Sequence, residues 1–156
     1  MTVSQYKALA AGEGVRVPGG RGRDLIFKVT GDDTGGLLDY FLVEVAPHGG
    51  PPLHVHLKQE ETIHVLKGRF KVQIGDDLFE LEEGGFAYLP SNVPHAFLNV
   101  TDEPAEVIVV YTPGGGIKFH EELGQLTRNG SPEPKVVAEL FEKHEMRLVG
   151  PPLSLD

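Results

Sequence analysis

The sequence predicts an all-β fold, a double-stranded β-helix (jelly roll) of two packed sheets, followed by short C-terminal helices. Three observations point there. Short apolar runs recur about every ten residues between positions 24 and 111, the spacing of strands in a barrel or sandwich. The 156 residues include 20 Gly and 12 Pro, enough for a tight turn at most junctions. Helical periodicity is confined to the stretch after Pro113. No segment repeats, so one barrel is expected. A chain of this length suits a single core, since a domain of roughly 150 residues buries about two-thirds of its unfolded surface.

In chain order, strands are expected near 24–29, 37–45, 61–66, 69–74, 78–82, 86–89, 95–99 and 105–111. Asp76-Asp77 after Gly75 predicts a hairpin turn between Phe70–Ile74 and Leu78–Leu81. Gly84-Gly85 supplies the bend before Phe86–Leu89. After Pro113-Gly114-Gly115-Gly116, a short helix is expected over Ile117–Leu123. Ser131-Pro132-Glu133 then reads as an N-cap, a first-turn proline and an acid near the positive helix end. Val136, Val137, Leu140, Phe141 and Met146 form the apolar stripe of that second helix, a lid packed on the barrel. Gly150-Pro151-Pro152 closes the chain as an extended tail.

Four residues carry the chemistry: His54, His56, Glu61 and His95. On a strand, residues two apart share a face, so His54 and His56 can both point inward while Val55 points away. His95, Phe97 and Asn99 share a parity on a later strand. Glu61 is preferred over Glu60 because it shares parity with Ile63 and Val65; Glu60 is then a solvated strand-end charge. Three imidazoles and one carboxylate form a borderline-hard set suited to divalent Fe, Mn, Ni, Co, Cu or Zn. They leave one or two positions open on a six-coordinate metal, which points to chemistry rather than a closed structural site. One metal per chain is expected.

The two segments, H-x-H-x4-E-x6-G over His54–Gly68 and G-x5-P-x-N-x2-H-x3-N over Gly84–Asn99, resemble the paired motifs of the cupin superfamily. The glycine usual after the motif's proline is Asn92 here, and the lead-in glycine is displaced by one position at His48-Gly49-Gly50. Asn tolerates a left-handed backbone better than other non-glycine residues, so the turn is expected to survive. The resemblance implies a cupin barrel core over 36–113, an N-terminal arm and strand over 1–35, and a C-terminal helical segment and tail over 114–156. The tail, including Gly115–Phe119, resembles small bacterial cupins of the quercetin 2,3-dioxygenase-like group. That likeness implies oxygenation of a small enolisable or phenolic, flavonol-like molecule, with Glu61 both metal ligand and general base. A non-oxidative isomerase, lyase or decarboxylase, and a non-enzymatic small-molecule binder, stay open as alternatives. It also implies a homodimer in which the run Asp24–Val29 pairs with the partner's sheet.

Phe97, His64 and Tyr88 are the candidates for substrate contact, Phe97 because it shares parity with His95. A partly exposed cross-strand position is the alternative for His64. Asn99 is expected to tie down neighbouring backbone. His48 reads as a loop residue, and His120 and His144 as surface residues. Of the aromatics Tyr40, Phe41, Phe70, Phe86, Tyr88, Phe97 and Tyr111, most are expected in the core, with two or three lining a cavity.

The net charge of −9 disfavours nucleic acid and anionic membranes as partners, since both need a basic face. Arg16, Arg21 and Arg23 read as solvated loop charges. With no Cys, there are neither disulfides nor thiolate ligands. The apolar run Val107–Tyr111 is far too short to cross a bilayer. The partners expected are a small-molecule substrate and O2, in a cytoplasmic protein.

Overall fold

A computed structural model describes residues 6–156. Eleven strands and three helices follow one another among them: β1 Val15–Pro18, β2 Arg23–Val29, α1 Gly31–Thr34, β3 Asp39–Val45, β4 Pro52–His56, β5 Glu60–Lys67, β6 Phe70–Ile74, β7 Asp77–Leu81, β8 Phe86–Leu89, β9 His95–Asn99, β10 Ala105–Thr112, α2 Ile117–Thr127, α3 Pro134–Lys143 and β11 Met146–Pro152. One sheet runs β1-β2-β3-β10-β5-β8 and the other β11-β4-β9-β6-β7. All pairings are antiparallel.

The sheets pack face to face through alternate residues. On β10, Ala105, Val107, Val109 and Tyr111 are buried, and on β5, Glu61, Ile63 and Val65 are buried. Phe27, Phe41, Phe70, Phe97 and Leu89 join them in one apolar core. Burial of this kind contributes about 25 cal/mol per Å² of apolar surface and fixes which face of each strand turns inward. The jelly-roll expectation holds.

The differences from the expected elements have local causes. The turn joining β6 to β7 is Gly75-Asp76, one residue earlier than expected, because Gly75 takes the positive φ of 60° that the turn needs. The second C-terminal helix starts at Pro134, with Pro134 rather than Pro132 in its first turn. A residue before proline is pushed out of the helical region, and Glu133 accordingly has ψ 138°. The first C-terminal helix runs four residues past Leu123, to Thr127. Met146 is not on the helical stripe, since Glu145 at φ 58° turns the chain into β11. The expected tail is extended as predicted, and it hydrogen-bonds as a strand along β4, pairing Met146 with His56 and Leu148 with His54.

The run Asp24–Val29 lies between β1 and β3 of its own sheet, so both its edges are filled. Over Asp24–Phe27 it is thus not free to pair with a partner's sheet; the edge strands of this sheet are β1 and β8. Among the described residues, no helix is long and apolar enough to cross a membrane.

Candidate metal centre

β4, β5 and β9 converge on one point between the sheets. His54 and His95 are direct cross-strand partners, and the His56 and His95 rings stack with centroids 5.3 Å apart. Glu61 begins the inward face of β5, beside Tyr111 of β10. All four side chains are buried, none more than 8% exposed. The turn that delivers His95 is fastened to the ligand strand, because the Asn92 N–H donates to the His56 carbonyl at 2.7 Å. Asn92 sits at φ 66°, the left-handed conformation expected of it. Glu60, one residue from the ligand, faces outward. It is less free than expected: its carboxylate accepts from the Tyr88 hydroxyl at 3.0 Å and the Ser91 N–H at 2.8 Å.

The ring nitrogens sort themselves by their partners. The Nδ1 of His54 lies 2.8 Å from the Pro52 carbonyl, that of His56 3.1 Å from Gln59 Oε1, and that of His95 3.4 Å from the Val93 carbonyl. Each acceptor requires a proton on Nδ1, which leaves Nε2 with a bare lone pair. His56 Nε2 and His95 Nε2 stand 3.2 and 2.8 Å from Glu61 Oε2, yet none of these three atoms is in hydrogen-bond geometry. Two lone pairs and a carboxylate oxygen converging in a dry interior repel one another unless a cation lies between them.

The donor atoms of all four residues fall within 4.8 Å of one another. Ligands at about 2.0–2.2 Å from a metal stand at most about 4.3 Å apart, so the cluster closes on an ion by a few tenths of an ångström. Electrostatics agree. Burial, aided by the His95 and His56 rings, pushes His54 well below the usual histidine range and keeps it neutral. Burial alone would raise Glu61; positive charge at His95 and His56 outweighs it and holds the carboxyl well below its usual range, and with those rings neutral a bound cation would supply that charge. Neutral imidazoles and an ionised carboxylate are the protonation states a divalent ion requires.

Two spaces adjoin the cluster. An inner cavity of about 30 Å³ is lined by His54 and Glu61, Phe41, Phe97, Tyr111, His120 and Arg23 among others. A vestibule of about 310 Å³ opens outside it, between His56, Gln59, the Gly114–Gly116 loop and Lys143–Met146. Tyr111, Phe119 and Met146 border both. The glycine loop is pinned by buried Asp39, which accepts from the N–H groups of Gly31, Gly115 and Gly116. Gly116 approaches Tyr111 so closely that a Cβ there would sit 2.5 Å from the ring. The helices α2 and α3 pack Phe119, Leu123, Leu140 and Phe141 over this end, with Met146, and Phe141 meets the His54 ring at 6.0 Å. α3 is the expected lid, and α2 packs beside it.

Of the three expected substrate contacts, Phe97 lines the inner cavity. His64 and Tyr88 do not reach it. Both point out of the sheet, His64 against Phe86 and Tyr88 onto Glu60, with Tyr88 53% exposed. The cause is parity: Thr62, His64, Tyr88 and Phe86 form the outer face of the β5–β8 pair, opposite to Glu61 and Leu89. Tyr40, Phe86 and Tyr88 are exposed, while of the expected aromatics Phe41, Phe97 and Tyr111 line the cavity, joined there by Phe119 and Phe141. Asn99 ties backbone as expected, its side-chain nitrogen reaching the carbonyls of Val45, Ala46 and Glu103. His48 lies in a loop beside Asp102, and His144 is half-buried against Glu122.

Two further expectations are overturned. His120 is not a surface residue but is 4% exposed, its Nε2 3.0 Å from the Tyr111 hydroxyl. Burial, with Arg23 close by, pushes it down to about 3. Burial and the Glu61 charge likewise push Tyr111 well above its usual range. Arg23 is not a solvated loop charge. It opens β2 with the same parity as the buried Leu25 and Phe27, a signal present in the sequence. Arg16 and Arg21 do stay outside, Arg16 on Asp24 and Arg21 on the Gly50 carbonyl.

Comparison with known proteins agrees with this geometry. Residues 41–111 match the cupin domain family (Cupin_2). The chain is 32% identical over 89 residues to quercetin 2,3-dioxygenase of Bacillus subtilis (strain 168), covering 57% of this chain and 26% of that protein. It is 31% identical over 98 residues to polyketide synthase CurC of Streptomyces cyaneus, covering 63% of this chain and 62% of that one. The chain thus spans between a quarter and just under two-thirds of these relatives. Among solved structures, an RmlC-like cupin from Shewanella frigidimarina NCIMB 400 superposes with a TM-score of 0.63 at 16% identity, over 73% of this chain and 96% of that one, a likeness of fold. The match over 41–111, 71 of the 156 residues, takes in both motifs, and the likeness to the solved cupin is one of fold.

Proposed function

We propose that the chain is a metal-dependent dioxygenase acting on a small enolisable or phenolic molecule, with His54, His56, Glu61 and His95 holding one divalent transition metal. The observation that carries the metal is the convergence of His56 Nε2, His95 Nε2 and Glu61 Oε2, all buried and unpartnered. A bound divalent ion supplies Lewis acidity, lowering the pKa of a substrate hydroxyl or enol at its open position. The protein's own part is orientation and proton handling. Molecules enter from the vestibule beside His56, and Phe97, Phe41 and Tyr111 exclude water from the reacting end. Glu61 takes the hydroxyl or enol proton on its carboxylate. Dioxygen then adds to the electron-rich carbon and a carbon–carbon bond is cleaved, both oxygen atoms ending in the products. The similarity to a quercetin 2,3-dioxygenase supports oxygenation. Self-association belongs to the same proposal, with the open edge strand β1 as the pairing element.

Elemental analysis of protein purified without added metal, followed by oxygen-electrode assays with flavonols and other enolisable compounds, tests this reading. About one first-row metal per chain and oxygen uptake matching product are expected. Turnover without oxygen uptake would replace the dioxygenase with a Lewis-acid isomerase, lyase or decarboxylase. Single-turnover activity of metal-loaded Glu61→Gln isolates the base role: a large loss is expected, and full activity removes that role while leaving the ligand role intact.

A further inference from the structure

The inner cavity is lined by an arginine as well as by the ligand carboxylate. Arg23 lines it together with His54, Glu61, Tyr111 and His120. Among the described residues, Arg23 makes no salt bridge. Its Nε–H donates to the Gly20 carbonyl at 2.9 Å, which holds the side chain in place and leaves the outer edge of the guanidinium for another partner. That edge is the one suited to a two-oxygen acceptor, because its paired N–H groups match a carboxylate. Burial pulls the group down to about 10, which leaves it charged at neutral pH. A half-buried guanidinium that lines a reaction centre and makes no salt bridge keeps its outer N–H groups free for an anionic ligand.

The charge balance points the same way. Arg23 and a divalent ion carry three positive charges against the single negative charge of Glu61, in a cavity whose other lining residues are apolar or neutral. The cavity, at about 30 Å³, is the size of roughly two waters, which is room for a carboxylate group and not for a fused aromatic ring. Resting on the metal-dependent reading above, we propose that Arg23 anchors the carboxylate of the substrate, so that the substrate is a small enolisable carboxylic acid held between this guanidinium and the metal ligands. Its carboxylate enters from the vestibule, past Phe119 and Met146.

Pyruvate and its neutral analogue pyruvamide, titrated calorimetrically into the full chain before and after manganese loading, provide the test. Pyruvate is expected to bind the loaded chain at least tenfold more tightly than pyruvamide. Arg23→Gln is expected to weaken pyruvate at least tenfold and to leave pyruvamide unchanged, with Arg23→Lys between. Pyruvate binding that is absent from the wild type, or indifferent to Arg23→Gln, overturns the anchor. Should Arg23→Gln fail to fold, the Arg23 side-chain N–H resonance of the wild type, assigned by its loss in Arg23→Lys, decides the matter. It must shift with pyruvate and stay still with pyruvamide; any other result overturns the anchor. Manganese content separates the two readings. Manganese retained with Arg23-independent binding sinks the anchor alone, whereas Arg23-dependent pyruvate binding in a chain that never retains manganese sinks the metal reading alone.

Discussion

Between the two sheets the interior is filled in two ways. Around Val65, Phe70, Val72 and Val107 it is apolar, with every side chain at most 1% exposed and the Phe70 and Phe97 rings edge-to-face at 5.8 Å. Around His54, His56, Glu61 and His95, on β4, β5 and β9, the interior carries ionisable groups, themselves buried. The apolar part completes itself, since each carbon finds its contacts within the chain. The ionisable part does not: lone pairs on His56, His95 and Glu61 face one another, and the one side-chain hydrogen bond Arg23 makes among the described residues goes to a backbone carbonyl. Stability and chemistry are thereby assigned to different parts of one interior, and β5 shows both within five residues, from Glu61 to Val65.

The comparison breaks most sharply at the ligands. His56→Ala should reduce metal from about one per chain to near zero, since loss of one of four ligands removes both a bond and the geometry. The chain should still fold, as judged by circular dichroism. Phe70→Ala should do the reverse. Emptying this fully buried position costs about 3–5 kcal/mol, read by urea unfolding, while the metal content per folded chain stays unchanged.

The third effect is set by pH. An unfolded histidine takes up its proton near 6.5, but folded His120 resists it to about 3. Unfolding therefore takes up a proton across that window, and stability is complete above about pH 6.5 and falls as pH drops towards 3. The slope from one such group is about 1.4 kcal/mol per pH unit. His120→Phe should flatten it by one proton in metal-free protein, measured by urea melts at stepped pH. The smallest effect concerns Gln59, whose Oε1 orients His56 and whose side-chain amide donates to the Pro113 carbonyl. Gln59→Ala should weaken metal binding about 10–100-fold, measured by competition with a chelator, without altering its stoichiometry.

Much of this was legible before the fold was known, for a definite reason. Strand parity is local, so the alternation through Glu61, Ile63 and Val65 selected Glu61 over Glu60. The spacing around His54 and His56 likewise put both on one face. Parity was also available for Arg23, and was outweighed by the Gly/Arg-rich surroundings of that stretch, which resemble a solvated loop. His64 and Tyr88 show the converse, since aromatic character suggested a cavity and parity sent them outward. β11 was hidden because its prolines and glycine mimic a tail, and only a partner edge on β4 makes it a strand.

By itself the sequence determined which residues of each strand face inward and which four of them can share an ion, because side-chain alternation and motif spacing are properties of a short stretch of chain. Only the tertiary structure decided what else shares their cavity. Arg23, Tyr111 and His120 come from β2, β10 and α2, and no spacing relates them. They meet the ligands because the two sheets close on each other and α2 folds back over the open end, long-range contacts set by burial of the whole core.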